Sequence, residues 1–245
     1  MNGSRFRPPL ADALKSVVYD VLFPARCLSC GADDSYLCPQ CFASAEPAKF
    51  ICPACGGASF TGERHIGCGR ARDGLDGLIS VWRYGGAVRE AVSRIKYECV
   101  KDALFELVAR SVEAMEADWT RYERFAEFAR SAVFTYVPMR VLAEGRRGFN
   151  QAEIIAGELG GRFDAEVAGL LCKNRRIVSQ ARLDSSAERA QNVRGAFAAR
   201  QVPVPERVVL ADDVWTTGAT MKECARALRK SGARFVWGFT LAMAR

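Results

Sequence analysis

The sequence predicts an open, mostly parallel α/β sheet flanked by helices and preceded by a small cysteine-rich module. Three observations carry that expectation. From residue 75 onward, short apolar runs alternate with segments of helical periodicity, the order that builds parallel sheets. One such run, Arg207-Val208-Val209-Leu210-Ala211, leads straight into two carboxylates and a small-residue turn. Ligands in sheets of this kind bind at the carboxyl ends of the strands. Finally, seven of the ten cysteines fall between Cys27 and Cys68, in a segment with too few large apolar residues for a core of its own.

The elements follow in order. Leu10, Leu14, Val17, Val18, Val21 and Leu22 space out an amphipathic helix over 10–23, stopped by Pro24. Residues 1–24 are read as that helical arm, 25–74 as the cysteine-rich module and 75–245 as the α/β domain. Strands are expected at 78–84, 132–137, 207–211 and 234–242, and helices at 87–97, 102–117, 119–130, 150–160 and 219–231. In the third of these helices Trp119, Tyr122, Phe125 and Phe128 recur every three residues. That spacing marks a core-facing stripe rather than a base-stacking platform.

Cys27-x2-Cys30 and Cys38-x2-Cys41 supply four thiolates in two chelating pairs, the ligand count and type of a closed structural zinc site. A second set is less complete. Cys52-x2-Cys55 is followed by Cys68, but Ala71 stands where a partner cysteine would finish the pair. His65, the single histidine of the chain, is the candidate fourth ligand. The spacing leaves open one zinc or two, and also an interleaved pairing of Cys27/Cys30 with Cys52/Cys55. No apolar signal-peptide core opens the chain, so metal thiolates in a cytoplasmic protein are expected rather than disulfides. No apolar run approaches the roughly 20 residues of a membrane span.

The net charge of +7 is unevenly placed. Residues 170–200 carry seven basic side chains, Lys173, Arg175, Arg176, Arg182, Arg189, Arg194 and Arg200, against Asp184 and Glu188. Such an excess attracts anions, whether pyrophosphate, nucleotide or a nucleic-acid backbone.

After strand 207–211 come Asp212 and Asp213, whose carboxylates suit ribose 2′- and 3′-hydroxyls, directly or through a metal ion. Thr216-Thr217-Gly218-Ala219-Thr220 adds hydroxyls, a glycine free to adopt positive φ, and the first amides of the next helix. Unpaired amides at a positive helix end suit a phosphate dianion. The order of hydrophobic strand, two acids, two spacers and Thr-Gly-x-Thr resembles the motif of type I phosphoribosyltransferases. With Arg147-Gly148-Phe149-Asn150-Gln151, the spaced Gln180, Leu183, Arg189, Asn192 and Phe197, and the cysteine-rich finger, it resembles the ComF family of competence-associated proteins from about residue 22 to 243.

That resemblance implies a phosphoribosyltransferase-like domain binding phosphoribosyl pyrophosphate with Mg²⁺ through Asp212, Asp213, Thr216, Thr217, Gly218, Ala219, Thr220, Pro138 and Arg147. It also implies that Val137-Pro138-Met139-Arg140 meets the pyrophosphate and that residues 173–182 form a hood. Arg140, Lys173, Arg175 and Arg176 would then stabilise the leaving charge beside the acidic pair. Thr216 stands where 6-oxopurine salvage enzymes tend to carry an Asp, which disfavours that acceptor. Asn2 in place of an N-terminal Cys nucleophile disfavours glutamine-dependent amidotransfer. The alternative function is a non-catalytic nucleotide- and single-stranded-DNA-binding protein of DNA uptake, working with the competence machinery.

Overall fold

A computed structural model describes residues 25–69, 74–98, 100–139, 148–174, 193–200 and 203–244. The helix expected over 10–23 lies outside them. The elements are α1 (Pro39–Phe42), β1 (Gly77–Arg83), α2 (Gly86–Glu98), α3 (Lys101–Ala117), α4 (Trp119–Ala129), β2 (Val133–Tyr136), α5 (Gln151–Phe163), β3 (Leu171–Lys173), β4 (Phe197–Ala199), β5 (Arg207–Trp215), α6 (Ala219–Lys230) and β6 (Phe235–Met243). A short 3-10 turn spans Ile66–Cys68.

Strands β1, β6, β5 and β2 lie side by side in that order, each pair parallel. The expected fold class holds: a parallel sheet with helices on both faces and a cysteine-rich module ahead of it. Along β5 the residues alternate between two cores. Val208 and Leu210 join one, with α6 and the antiparallel β3–β4 hairpin; Val209 and Ala211 join the other, with α2 to α5. A strand covered on both faces reads as a continuous apolar run, which is why it was legible. In α4, Tyr122, Phe125 and Phe128 are buried, so three of the four aromatic positions are core, while Trp119 at the helix start is exposed.

The cysteine-rich module shares the domain's cores. Leu28, Leu37 and Phe50 pack into one and Ala48 and Ile51 into the other. Its backbone also covers the outer edge of β1. Ala48 donates its amide to Val81 (2.8 Å), and Leu78 donates to Gly62 (2.9 Å). A covered edge offers no row of open amides to a foreign strand. Glu106 of α3 accepts from the amides of Tyr36 (2.9 Å) and Leu37 (3.3 Å), and Arg94 of α2 donates to the Leu28 carbonyl (2.9 Å).

One strand differs in length from the sequence expectation. β5 runs on through Asp212 and Asp213 to Trp215, because Thr240, Ala242 and Met243 of β6 pair with Asp212, Val214 and Trp215. The acids therefore belong to the strand, not to the turn after it.

Candidate functional site

The cysteines form two sets. Cys27, Cys30, Cys38 and Cys41 bring their sulfurs within 4.8 Å of one another, and Cys52, Cys55, His65 and Cys68 do the same with three sulfurs and one ring nitrogen. Interleaved pairing is thereby excluded. Four sulfurs about 2.3 Å from one zinc would sit about 3.8 Å apart. Cys30 and Cys38 are 3.6 Å apart and Cys52 and Cys68 3.8 Å, so both sets fit tetrahedral zinc. His65 turns Nδ1 toward the Cys55 sulfur (3.5 Å), while Nε2 lies 2.8 Å from the Ala58 carbonyl. Donation from Nε2 to that carbonyl leaves Nδ1 unprotonated, as a ligand must be. Burial works to raise the Cys52 thiol, but backbone amides of Cys55, His65 and Ala54 outweigh it and bring it down to about 6. Cys27 is likewise brought to about 6 against its burial, by the amides of Cys30, Cys38 and Ser29. Thiolate is the metal-binding form.

At the carboxyl end of β5 a cavity of about 310 Å³ is lined by both acids, Trp215, Thr216, Gly218, Ala219 and Thr220, closed by Tyr84 and Lys96. Successive residues of a strand point to opposite faces. Asp213 accordingly meets Lys96 of α2, with Nζ 2.8 Å from Oδ2, while Asp212 leans toward α6, where its charge adds to burial in raising the Cys224 thiol. At the strand end both carboxylates still reach the one cavity. Gly218 takes φ +74° and caps α6, and Ala219 and Thr220 of the helix's first turn line the cavity. Thr217 Oγ1 accepts from the Ala219 amide at 3.4 Å.

Burial, reinforced by the Asp213 charge and opposed by Lys96, pushes the Asp212 carboxyl up to about 7. The folded state therefore holds a proton that the unfolded chain has released above the usual Asp range. Asp212 stabilises the fold fully only below that range, and the contribution is lost as pH rises through about 7. Thermal unfolding compared at about pH 6 and about pH 8 should show a drop in stability that Asp212→Asn reduces. An unchanged drop in that variant would mean other groups carry it.

A larger cavity, about 1250 Å³, lies at the opposite end of the sheet among Arg64, Arg207 and Phe235. Its walls include the pairs Arg124–Glu63 (3.2 Å) and Arg229–Asp76 (2.5 Å). The first of these ties the loop of the second cysteine set to α4, and the second ties α6 to the start of β1. The smaller cavity is where the motif residues converge.

Residues 18–72 match the double zinc ribbon domain. Competence protein F of Haemophilus influenzae is 27% identical over 233 residues, covering 90% of this chain and 98% of that one. The DNA utilization protein YhgH of Escherichia coli O6:H1 is 28% identical over 82% of this chain and 87% of its own, and competence protein ComFC of Bacillus subtilis 28% over 78% and 77%. The chain is thus similar, over most of its length, to competence and DNA utilization proteins. Two solved structures overlap it loosely, each with a TM-score of 0.30. One is an allosteric regulatory enzyme of purine biosynthesis (22% identity, 47% of this chain and 24% of that one). The other is a purine phosphoribosyltransferase of Pyrococcus horikoshii Ot3 (13%, 60% and 83%).

Other motif residues of this chain fall as follows. Pro138 is buried beyond the end of β2 and does not line the cavity. Asn150 caps α5, accepting from the Ala152 amide (3.1 Å) and donating to the Val137 carbonyl (3.2 Å). That ties the helix to the segment that the resemblance assigns to pyrophosphate. Lys173 ends β3 with its ammonium 5.3 Å from the Phe197 ring centre, and its charge reaches Asp212. Arg140, Arg147, Arg175, Arg176, Ala71, Gln180, Leu183, Arg189 and Asn192 lie outside the described residues. Lys96 and Tyr84 were missed as site residues. The signal for Lys96 was present: it sits four residues after buried Val92 in α2, a charge in the apolar phase of the helix. No helix among the described residues is long and apolar enough to cross a membrane.

Proposed function

We propose that the cavity binds 5-phosphoribosyl pyrophosphate with Mg²⁺ and transfers the phosphoribosyl group to an acceptor. The observation that carries this reading is the convergence of Asp212, Asp213 and the amino end of α6 on one small cavity. The 5-phosphate would sit against the amides that follow Gly218, with Thr216 and Thr217 hydroxyls beside it. The ribose hydroxyls would donate to Asp212 and Asp213. In the transfer, the bond from C1 to the pyrophosphate oxygen breaks and the electron pair leaves with pyrophosphate. The acceptor's lone pair then forms the new bond to C1, and its proton passes to solvent. Positive charge grows on the sugar and negative charge on the leaving group, so fixed cations on the pyrophosphate side lower the barrier. Arg140, Arg147, Lys173, Arg175 and Arg176 are proposed for that side, with Pro138 shaping the loop. Magnesium, if brought in with the pyrophosphate, would neutralise the leaving charge further. The relatives' names speak of competence and DNA utilization, and we propose that this chain serves the same DNA handling.

Calorimetric titration with phosphoribosyl pyrophosphate and Mg²⁺ tests the assignment. Replacing both acids, Asp212→Asn with Asp213→Asn, should weaken binding about a hundredfold, since two charge-assisted hydrogen bonds are exchanged for neutral ones. Equal affinity in the double variant would rule out this site. A screen for pyrophosphate release across candidate acceptors then separates transfer from binding.

A further inference from the structure

Two neighbouring carboxylates offer four oxygens, and the protein engages one on each. Asp212 Oδ1 accepts from the Asp213 amide at 2.9 Å. Asp213 Oδ2 is held by Lys96 Nζ at 2.8 Å. Among the described residues the second oxygen of each carboxylate has no protein donor, and both carboxylates line the cavity. The Lys96–Asp213 pair is well covered, its side chains 26% and 15% exposed. An ammonium in that setting acts through a lower dielectric than at the surface and holds its partner more firmly. It also offsets the mutual repulsion of the two acids, and burial with that repulsion is what pushes Asp212 up to about 7. A divalent cation is the usual means of holding two such acids together. Here the chain carries its own cation.

We propose that Lys96 is a positioning residue that turns the acidic pair into a reader of a vicinal diol, so that the cavity prefers ribose 5-phosphates to 2-deoxyribose 5-phosphates without a divalent cation. This rests on the reading that the cavity takes a ribose 5-phosphate. One oxygen of each carboxylate is pinned from the protein side, by an amide on Asp212 and by Lys96 on Asp213. With both carboxylates ionised, above about pH 7, the two remaining oxygens are left as acceptors, one for each of two adjacent hydroxyls. A sugar lacking the 2-hydroxyl leaves one buried acceptor unmatched, a loss larger than the net value of the bond itself. The cavity therefore disfavours a 2-deoxyribose 5-phosphate at its diol subsite.

The test is calorimetric titration of ribose 5-phosphate, 2-deoxyribose 5-phosphate and inorganic phosphate without added magnesium. The wild type should favour the ribose form by about tenfold or more. Lys96→Met should lose most of that preference yet still bind inorganic phosphate at the helix end, and Lys96→Arg should regain it. In an Asp213→Asn background, Lys96→Met should change the preference no further, since coupled residues are not additive. The proposal is overturned if Lys96→Met keeps the wild-type preference. It is equally overturned if that variant loses inorganic phosphate along with the sugar, which would mark a purely structural role. A wild type that binds neither sugar phosphate nor phosphoribosyl pyrophosphate would instead sink the assignment of the cavity itself.

Discussion

Metal analysis of the purified chain is expected to find two zinc ions, and their removal to unfold the cysteine-rich module and strip the sheet of part of its core. Each ligand set is complete in the fold, one with four sulfurs and one with three sulfurs and His65 Nδ1. A structural zinc of this type contributes on the order of 10 kcal/mol to the folding of its module. The whole domain has a net stability of only about 5–15 kcal/mol. The consequence reaches beyond the module because Leu28, Leu37 and Phe50 are shared with the helices on one face of the sheet, with Phe42 edge-on to Trp82 at 4.9 Å and Phe50 edge-on to Tyr122 at 5.3 Å. Chelation should therefore lower the melting temperature of the entire protein, not only remove a local signal. Cys38→Ser and Cys52→Ser should each reduce the bound zinc from two to one. Full reconstitution that stops at one zinc, or a melting curve indifferent to chelator, would refute the paired sites.

The parts of this picture that could be read from the sequence are those in which one segment carries its own signal. A chelating pair such as Cys27-x2-Cys30 is local, and so is the order from Val208 to Thr220. The apolar run of β5 and the periodicity of α3 and α4 are local too. What escaped was decided between segments. The length of β5 depends on pairing with β6, and two acids in a row gave no hint that the strand continues. β3 and β4 have three residues each, too few for any period to emerge. The cover on the edge of β1 comes from backbone amides and carbonyls of an irregular chain, which leave no mark on side-chain pattern. Lys96 is a mixed case: its charge in the apolar phase of α2 is a local signal, but its partner appears only when α2 is laid over the carboxyl end of β5. The second zinc set lies between the two cases, since the candidate ligands were legible but the choice of partners required the fold.

Gly218→Ala should be among the most damaging single substitutions at the loop, on two independent grounds. The first is backbone. Gly218 has φ +74°, a conformation that costs an alanine about 1 kcal/mol relative to glycine. The second is space. A Cβ at this position would lie 2.2 Å from two atoms of the Trp215 ring, and Trp215 is 1% exposed at the end of β5. The indole must then leave its site or the turn must open, and a forced repacking of this kind typically costs about 1–3 kcal/mol. Together these predict a loss of roughly 2–4 kcal/mol in urea denaturation. Either relaxation also moves the amides of Ala219 and Thr220 away from the cavity, so affinity for inorganic phosphate should fall by about tenfold or more. Thr217→Ala is the matched control: it removes a 3.4 Å cap to the Ala219 amide but leaves the backbone turn intact, and should cost about 1 kcal/mol at most. If Gly218→Ala matches Thr217→Ala in urea denaturation and keeps the wild-type affinity for inorganic phosphate, the turn is not the phosphate cradle, and the amino end of α6 must be given another role.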